Sequence, residues 1–133
     1  REITGAFVRA GSYEATLTVG DRVVGRNVFT VRPDPRQDAS PAAVRSWHTA
    51  LDSIATLYRA TATLVGRARG AGASMSARAD TIAELQTRLG ALHQALEPQV
   101  GAPTADMRAQ LVSYSRMYTR LERAVTSGMG PSR

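Results

Sequence analysis

The sequence predicts an α+β fold: a β-hairpin followed by three helices packed up, down and up. Three observations carry that prediction. The apolar pattern has period two as far as Val31 and a helical period from Pro41 onward. The run Arg32-Pro33-Asp34-Pro35-Arg36 separates the two regimes, because prolines one residue apart enforce a stiff, extended connector. Glycines after Arg69 and Pro98 after Glu97 then divide the helical part into three stripes.

In the first regime, Tyr13, Ala15, Leu17 and Val19 alternate with Glu14, Thr16 and Thr18, the signature of a half-buried strand. Gly20-Asp21 supplies a turn. Val24, Val28, Phe29 and Val31 form the returning strand, with Gly25 expected at a bulge. Residues 3–8 read as a third strand, ending at Ala10-Gly11. Two or three strands are too few for an independent sandwich, since a lone hairpin is marginal in water. Tyr13, Leu17 or Phe29 should therefore touch another segment or be left as an exposed apolar patch.

Ser40-Pro41 reads as an N-cap followed by proline at the first helical position. The first helix is expected over residues 41–69, its inner stripe being Val44, Trp47, Leu51, Ile54, Tyr58, Thr61 and Val65, widened by Leu57 and Leu64. Gly70 and Gly72 should stop it, with Arg67 and Arg69 suited to its C-terminal dipole. The second helix is expected over 76–97, carrying Ile82, Leu85, Leu89, Leu92 and Leu96, with Asp80 and Glu84 early and Pro98 at its end. The third is expected over 104–126, carrying Met107, Leu111, Tyr114, Tyr118, Leu121 and Val125, with Gly128 and Gly130 closing it. Stripes of about three heptads suit a short globular bundle better than a long coiled coil. Trp47, Leu51, Ile54, Leu85, Leu89, Leu92, Leu111, Tyr114 and Leu121 should meet in one core.

The 133 residues suffice for one domain with a core of its own. The absence of cysteine removes disulfides, thiolate metal sites, iron–sulfur clusters and thiol nucleophiles together. No apolar run approaches the roughly 18 residues of a membrane span. The first residue is Arg1 and no signal peptide is present, so the segment is expected to begin inside a longer polypeptide. All 17 basic residues are arginine, set against 11 acids for a net charge of +6. Most of the excess falls beyond residue 38, yet no block of consecutive cations occurs.

Gly11-Ser12-Tyr13-Glu14-Ala15-Thr16-Leu17-Thr18-Val19 resembles the G-T-Y-x-V-x-L-T-V strand that closes an immunoglobulin- or fibronectin-like sandwich. Val31-Arg32-Pro33-Asp34-Pro35-Arg36 resembles the V-x-x-D-P-R exit from such a sandwich. Together with Ala102-Pro103-Thr104-Ala105-Asp106-Met107-Arg108, which looks like the start of a last helix, they resemble the C-terminal region of secreted bacterial sortilin-like proteins with Asp-box (BNR-repeat) propellers. The resemblance implies that residues 1–32 are the closing strands of a sandwich, 33–39 a connector, 40–127 a three-helix bundle and 128–133 a tail. The hairpin would then be a remnant of an Ig-like sandwich. No Asp-box occurs here, and Trp47 falls on a helix, so the resemblance carries over no catalytic residue.

The chemistry-bearing residues have simple structural readings. His48 and His93 lie beside core stripes; either could pair with a carboxylate to hold a metal, but with so thin a ligand set each reads as a satisfied boundary histidine. Asp34, Asp38 and Asp52 could be imagined as acid/base groups, but Asp34 next to Arg36 reads as a cap on backbone amides or as an ion pair docking the hairpin to the bundle. Ser46, Ser53, Ser113 and Ser115 fall within helices and outside any nucleophile elbow. Gly66-Arg67-Ala68-Arg69-Gly70-Ala71-Gly72 lacks the lysine and preceding strand of a phosphate loop. Arg59, Arg67, Arg69 and Arg78 gather near the first interhelical loop. Arg116, Arg120 and Arg123, with Arg108 earlier on the same helix, face away from the third stripe and read as solvated charge rather than a nucleic-acid site. Tyr58, Tyr114 and Tyr118 read as packing.

The expected function is accordingly non-catalytic: a C-terminal structural or interaction module of a larger secreted or cell-surface bacterial protein. No catalytic, cofactor or metal site is assigned, and its partners are upstream domains of the same polypeptide or neighbouring copies of the chain. Two alternatives stand beside it. One is a subunit of an extracellular assembly completed by strand exchange between copies, forming a homo-oligomer. The other is an accessory piece of a glycan-active hydrolase whose catalytic domain lies upstream.

Overall fold

The computed structural model describes residues 8–128. It is α+β: a two-stranded antiparallel hairpin followed by three helices packed together. The chain divides into two compact units, with the hairpin and its connector before Ser40 and the helices after it.

Strand β1 spans Gly11–Val19 and β2 spans Arg22–Val31. Gly20 has a φ of +58° and Asp21 does not share that sign, so the two-residue loop has the glycine-first pattern of a type II′ turn. Tyr13 pairs with Phe29, Ala15 with Asn27 and Leu17 with Gly25. Beyond that pair the register slips, because Thr18 faces Val23. The extra residue is therefore Val24, not the glycine expected there; Gly25 is its neighbour and keeps a partner. The third strand expected over residues 3–8 falls outside the described residues except for Val8, which precedes β1 without strand structure.

Helix α1 spans Pro41–Gly70. The Ser40 hydroxyl accepts from the Ala43 amide at 3.2 Å, and Pro41 occupies the first turn, where no intrahelical donor is missed. Gly70 does not stop the helix. Ala71 caps it by donating to carbonyls of the last turn, and Gly72, at φ +93°, is the residue that redirects the chain. A short 3₁₀ turn, Ala73–Met75, leads into α2, Ser76–Leu96. Helix α3 spans Ala105–Gly128, so Gly128 belongs to the helix rather than to a tail. Thr104 is its N-cap, its hydroxyl accepting from the Met107 amide at 3.2 Å.

Two contacts fix the helix directions. The Trp47 indole donates to the Leu96 carbonyl at 2.9 Å, joining the start of α1 to the end of α2. Arg67 reaches Thr126, joining the ends of α1 and α3. The helices thus run up, down and up.

The interior has two apolar clusters. The first holds buried Trp47, Leu51, Ile54, Leu85, Leu89, Leu92 and Leu96, with Leu111, Tyr114 and Leu121 packed against it partly buried. All nine residues expected in one core are in this cluster. The second, at the Gly72 end, holds Leu64, Val65, Ala68, Met75, Ala79, Ile82 and Val125. Tyr118 and Leu121 touch both. Helix α3 contributes one fully buried side chain, Val125, whereas α1 and α2 each contribute many. The bundle is thus an intimate α1–α2 pair with α3 laid along its seam.

Candidate interaction surfaces

The hairpin carries the most apolar exposed surface among the described residues. Alternation in β1 and the pairing register place Tyr13, Ala15, Leu17, Val19, Phe29 and Val31 on one face. Leu17 is 63% exposed, Val19 65% and Phe29 46%. The patch anticipated at Tyr13, Leu17 and Phe29 is therefore present. Tyr13 and Phe29 stack with ring centroids 6.0 Å apart, the geometry of a cross-strand aromatic pair. The Tyr13 hydroxyl donates to the Arg9 carbonyl, four residues upstream, at 2.7 Å. The opposite face carries Ser12, Glu14, Thr16, Thr18, Arg26 and Thr30, with Glu14 and Arg26 paired at 3.8 Å, and also the exposed Val23 and Val28. The first face is the more apolar of the two and the only one with aromatic rings.

Within the connector, Asp34 closes a local turn. Its carboxylate accepts from the Arg36 guanidinium at 3.0 and 2.8 Å and from the Arg36 backbone amide at 3.0 Å. These bonds hold the Asp34 carboxyl below the usual carboxylate range and raise the Arg36 guanidinium. Both earlier readings of Asp34, amide cap and ion pair, meet in this one residue. The pair links two connector residues that flank Pro35. A carboxylate so satisfied and of lowered pKa is a poor general acid.

His48 and His93 are buried on α1 and α2, and the Trp47 ring meets His48 edge-on at 4.9 Å. No group of three potential metal ligands occurs among the described residues. Two of the four serines serve the backbone: Ser53 donates to the Thr49 carbonyl at 2.8 Å and Ser115 to the Leu111 carbonyl at 2.9 Å. Asp52 borders a groove between α1 and α3 together with Thr56, Leu57, Ser115 and Tyr118. Tyr118 donates to Glu122 at 2.8 Å, and burial, then that carboxylate, push its phenol up. Tyr58 and Tyr114 pack against the first cluster, as their spacing implied. The glycine-rich segment at 66–72 is helix end and turn, not a phosphate cradle. On the outer side of α3, Arg108, Arg116 and Arg120 border a shallow depression with Ala109, Val112, Ser113 and Thr119.

No described helix is long and apolar enough to cross a membrane. No family model, curated protein or solved structure matches the chain.

Proposed function

We propose that this chain is a non-catalytic structural and interaction module whose hairpin forms the closing strands of an Ig-like sandwich. The remaining strands lie in further polypeptide of a larger secreted or cell-surface bacterial protein of the sortilin-like propeller kind, and the helical bundle is its C-terminal element. The observation that supports this reading is the apolar hairpin face, on which Leu17, Val19 and Phe29 stand 63, 65 and 46% exposed. Alternating strands of this type bury such a face against a second sheet about 10 Å away. The Tyr13 hydrogen bond to Arg9 agrees with it, because Ig-like sandwiches place a tyrosine near the start of a strand with its hydroxyl bonded to the backbone a few residues upstream.

Strand exchange between copies is the second reading, favoured by the open edges of a two-stranded sheet. Amide exchange separates the two. In a dilute monomer of the 133-residue chain the helices stay protected and the hairpin amides exchange fast. Fusing the chain behind the sandwich strands of its parent polypeptide slows the hairpin, whereas under strand exchange raising the concentration of the chain alone does so. Strong, equal protection of both parts in a proven monomer overturns both readings.

A further inference from the structure

Helix α3 has a second face that nothing above uses. Opposite its core stripe lie Ala109, Val112, Arg116, Arg120 and Arg123, all exposed, with Val112 at 49%. Three arginines elsewhere have carboxylate partners, Arg26 with Glu14, Arg36 with Asp34 and Arg88 with Glu84, and Arg67 and Arg108 are hydrogen-bonded to Thr126 and to the Pro103 carbonyl. Arg116, Arg120 and Arg123 form no ion pair among the described residues. Neither acid of α3 relieves them. Asp106 sits in the first turn, and Glu122 is half-buried and hydrogen-bonded to Tyr118. The face is therefore graded along its length, small and apolar first, then cationic.

We propose that this face docks an acidic helix of a partner protein, with carboxylates opposite Arg116, Arg120 and Arg123 and small apolar residues against Ala109 and Val112. Charge complementarity selects the occupant. The three arginines recur at intervals of four and three residues and span about 10 Å along the axis. Glutamates at matching intervals on a second helix present the same repeat, and guanidinium forks pair with carboxylates in bidentate fashion. Nucleic acid fits less well, since the face offers no aromatic ring for a base; Tyr114 and Tyr118 are packed on the inner side. An anionic membrane fits less well too, since the only sizeable apolar side chain on the face is Val112.

The test uses the intact chain and a fluorescein-labelled helical peptide with glutamates spaced i, i+4 and i+7 on an alanine background, read by anisotropy. Binding is expected, weakened about tenfold by Arg116→Gln/Arg120→Gln/Arg123→Gln. It should be abolished near 1 M salt, where the screening length falls to about 3 Å. Arg45→Gln/Arg59→Gln, on α1, should leave it unchanged. Val112→Asp, which places an acid in the docking floor, should weaken binding independently of the arginines. The proposal is overturned by no binding, by equal binding to the triple variant, or by tighter binding to random-sequence duplex DNA or to phosphatidylserine-containing vesicles.

Discussion

The first strand of the hairpin and the helices both carry regular apolar patterns, yet they use them differently. In α2 the stripe residues Ile82, Leu85 and Leu89 have no exposure at all. In the hairpin the corresponding residues, Leu17 and Phe29, keep half of theirs. Helices joined by short turns bring their own partners, because α1 and α2 fold back on each other and α3 closes the seam. A two-stranded sheet has two faces and two edges and supplies a partner for neither face. Periodicity thus reports which side of an element seeks burial. Whether burial is achieved depends on what else the unit contains.

The largest expected effect breaks this comparison most directly. Leu89→Ala removes a fully buried side chain from the first cluster and should cost about 2–5 kcal/mol. Leu17→Ala should stay within about 0.5 kcal/mol in the same chain. Denaturant melts of the two variants check the contrast, and similar losses would show that the hairpin face is buried in solution. Next comes Trp47→Phe, which shrinks the buried indole to a phenyl ring and leaves the Leu96 carbonyl with the Gln99 amide alone, at a cost of about 1–3 kcal/mol. Ser40→Ala removes the cap of α1 and should cost about 1 kcal/mol, seen as a lower Tm with faster exchange at the amides of the first turn.

The smallest effect lies in the connector. The native pKa of Asp34 is lowered, first by the Arg36 guanidinium and then by its amide. The contribution of the turn is therefore complete above the ordinary carboxylate value of 3.8 and fades as pH falls through the lower native value. An NMR titration should place the Asp34 midpoint below 3.8, and Arg36→Gln should raise it toward that value. A midpoint indifferent to Arg36 would remove the turn from the account.

Much of the fold was legible because its punctuation is chemical. Ser40-Pro41, Gly72, Thr104 and the Gly20-Asp21 turn each sit where backbone geometry demands them. The bulge was misplaced by one residue, since register depends on the pairing of two strands and a glycine marks only the neighbourhood. The 3₁₀ turn at Ala73–Met75 is too short to carry a period, though it delivers Met75 to the second cluster. The shallow seating of α3 was hidden for another reason: its stripe is as regular as that of α2, and a stripe records direction, not depth. The Tyr13 bond to Arg9 was invisible because a hydroxyl contact leaves no periodic trace. Among the site candidates, the buried histidines, the helix-bonded serines and the outward arginines of α3 fall where helical spacing puts them. The Asp34–Arg36 pair was legible as a pair but not in its span, because two residues separated by a proline close a turn more readily than they reach another element.

The bond between Trp47 and the Leu96 carbonyl spans 49 residues and sits at the end of the α1–α2 pair farthest from the turn that joins them. Contacts near that turn close small loops and form at low entropic cost, and each rung away from it closes a larger one. The indole bond is then the last rung of a zipper that starts at Gly72. Trp47 is also the only tryptophan in the chain. Fluorescence in a refolding experiment would consequently time the completion of the helical seam rather than its nucleation.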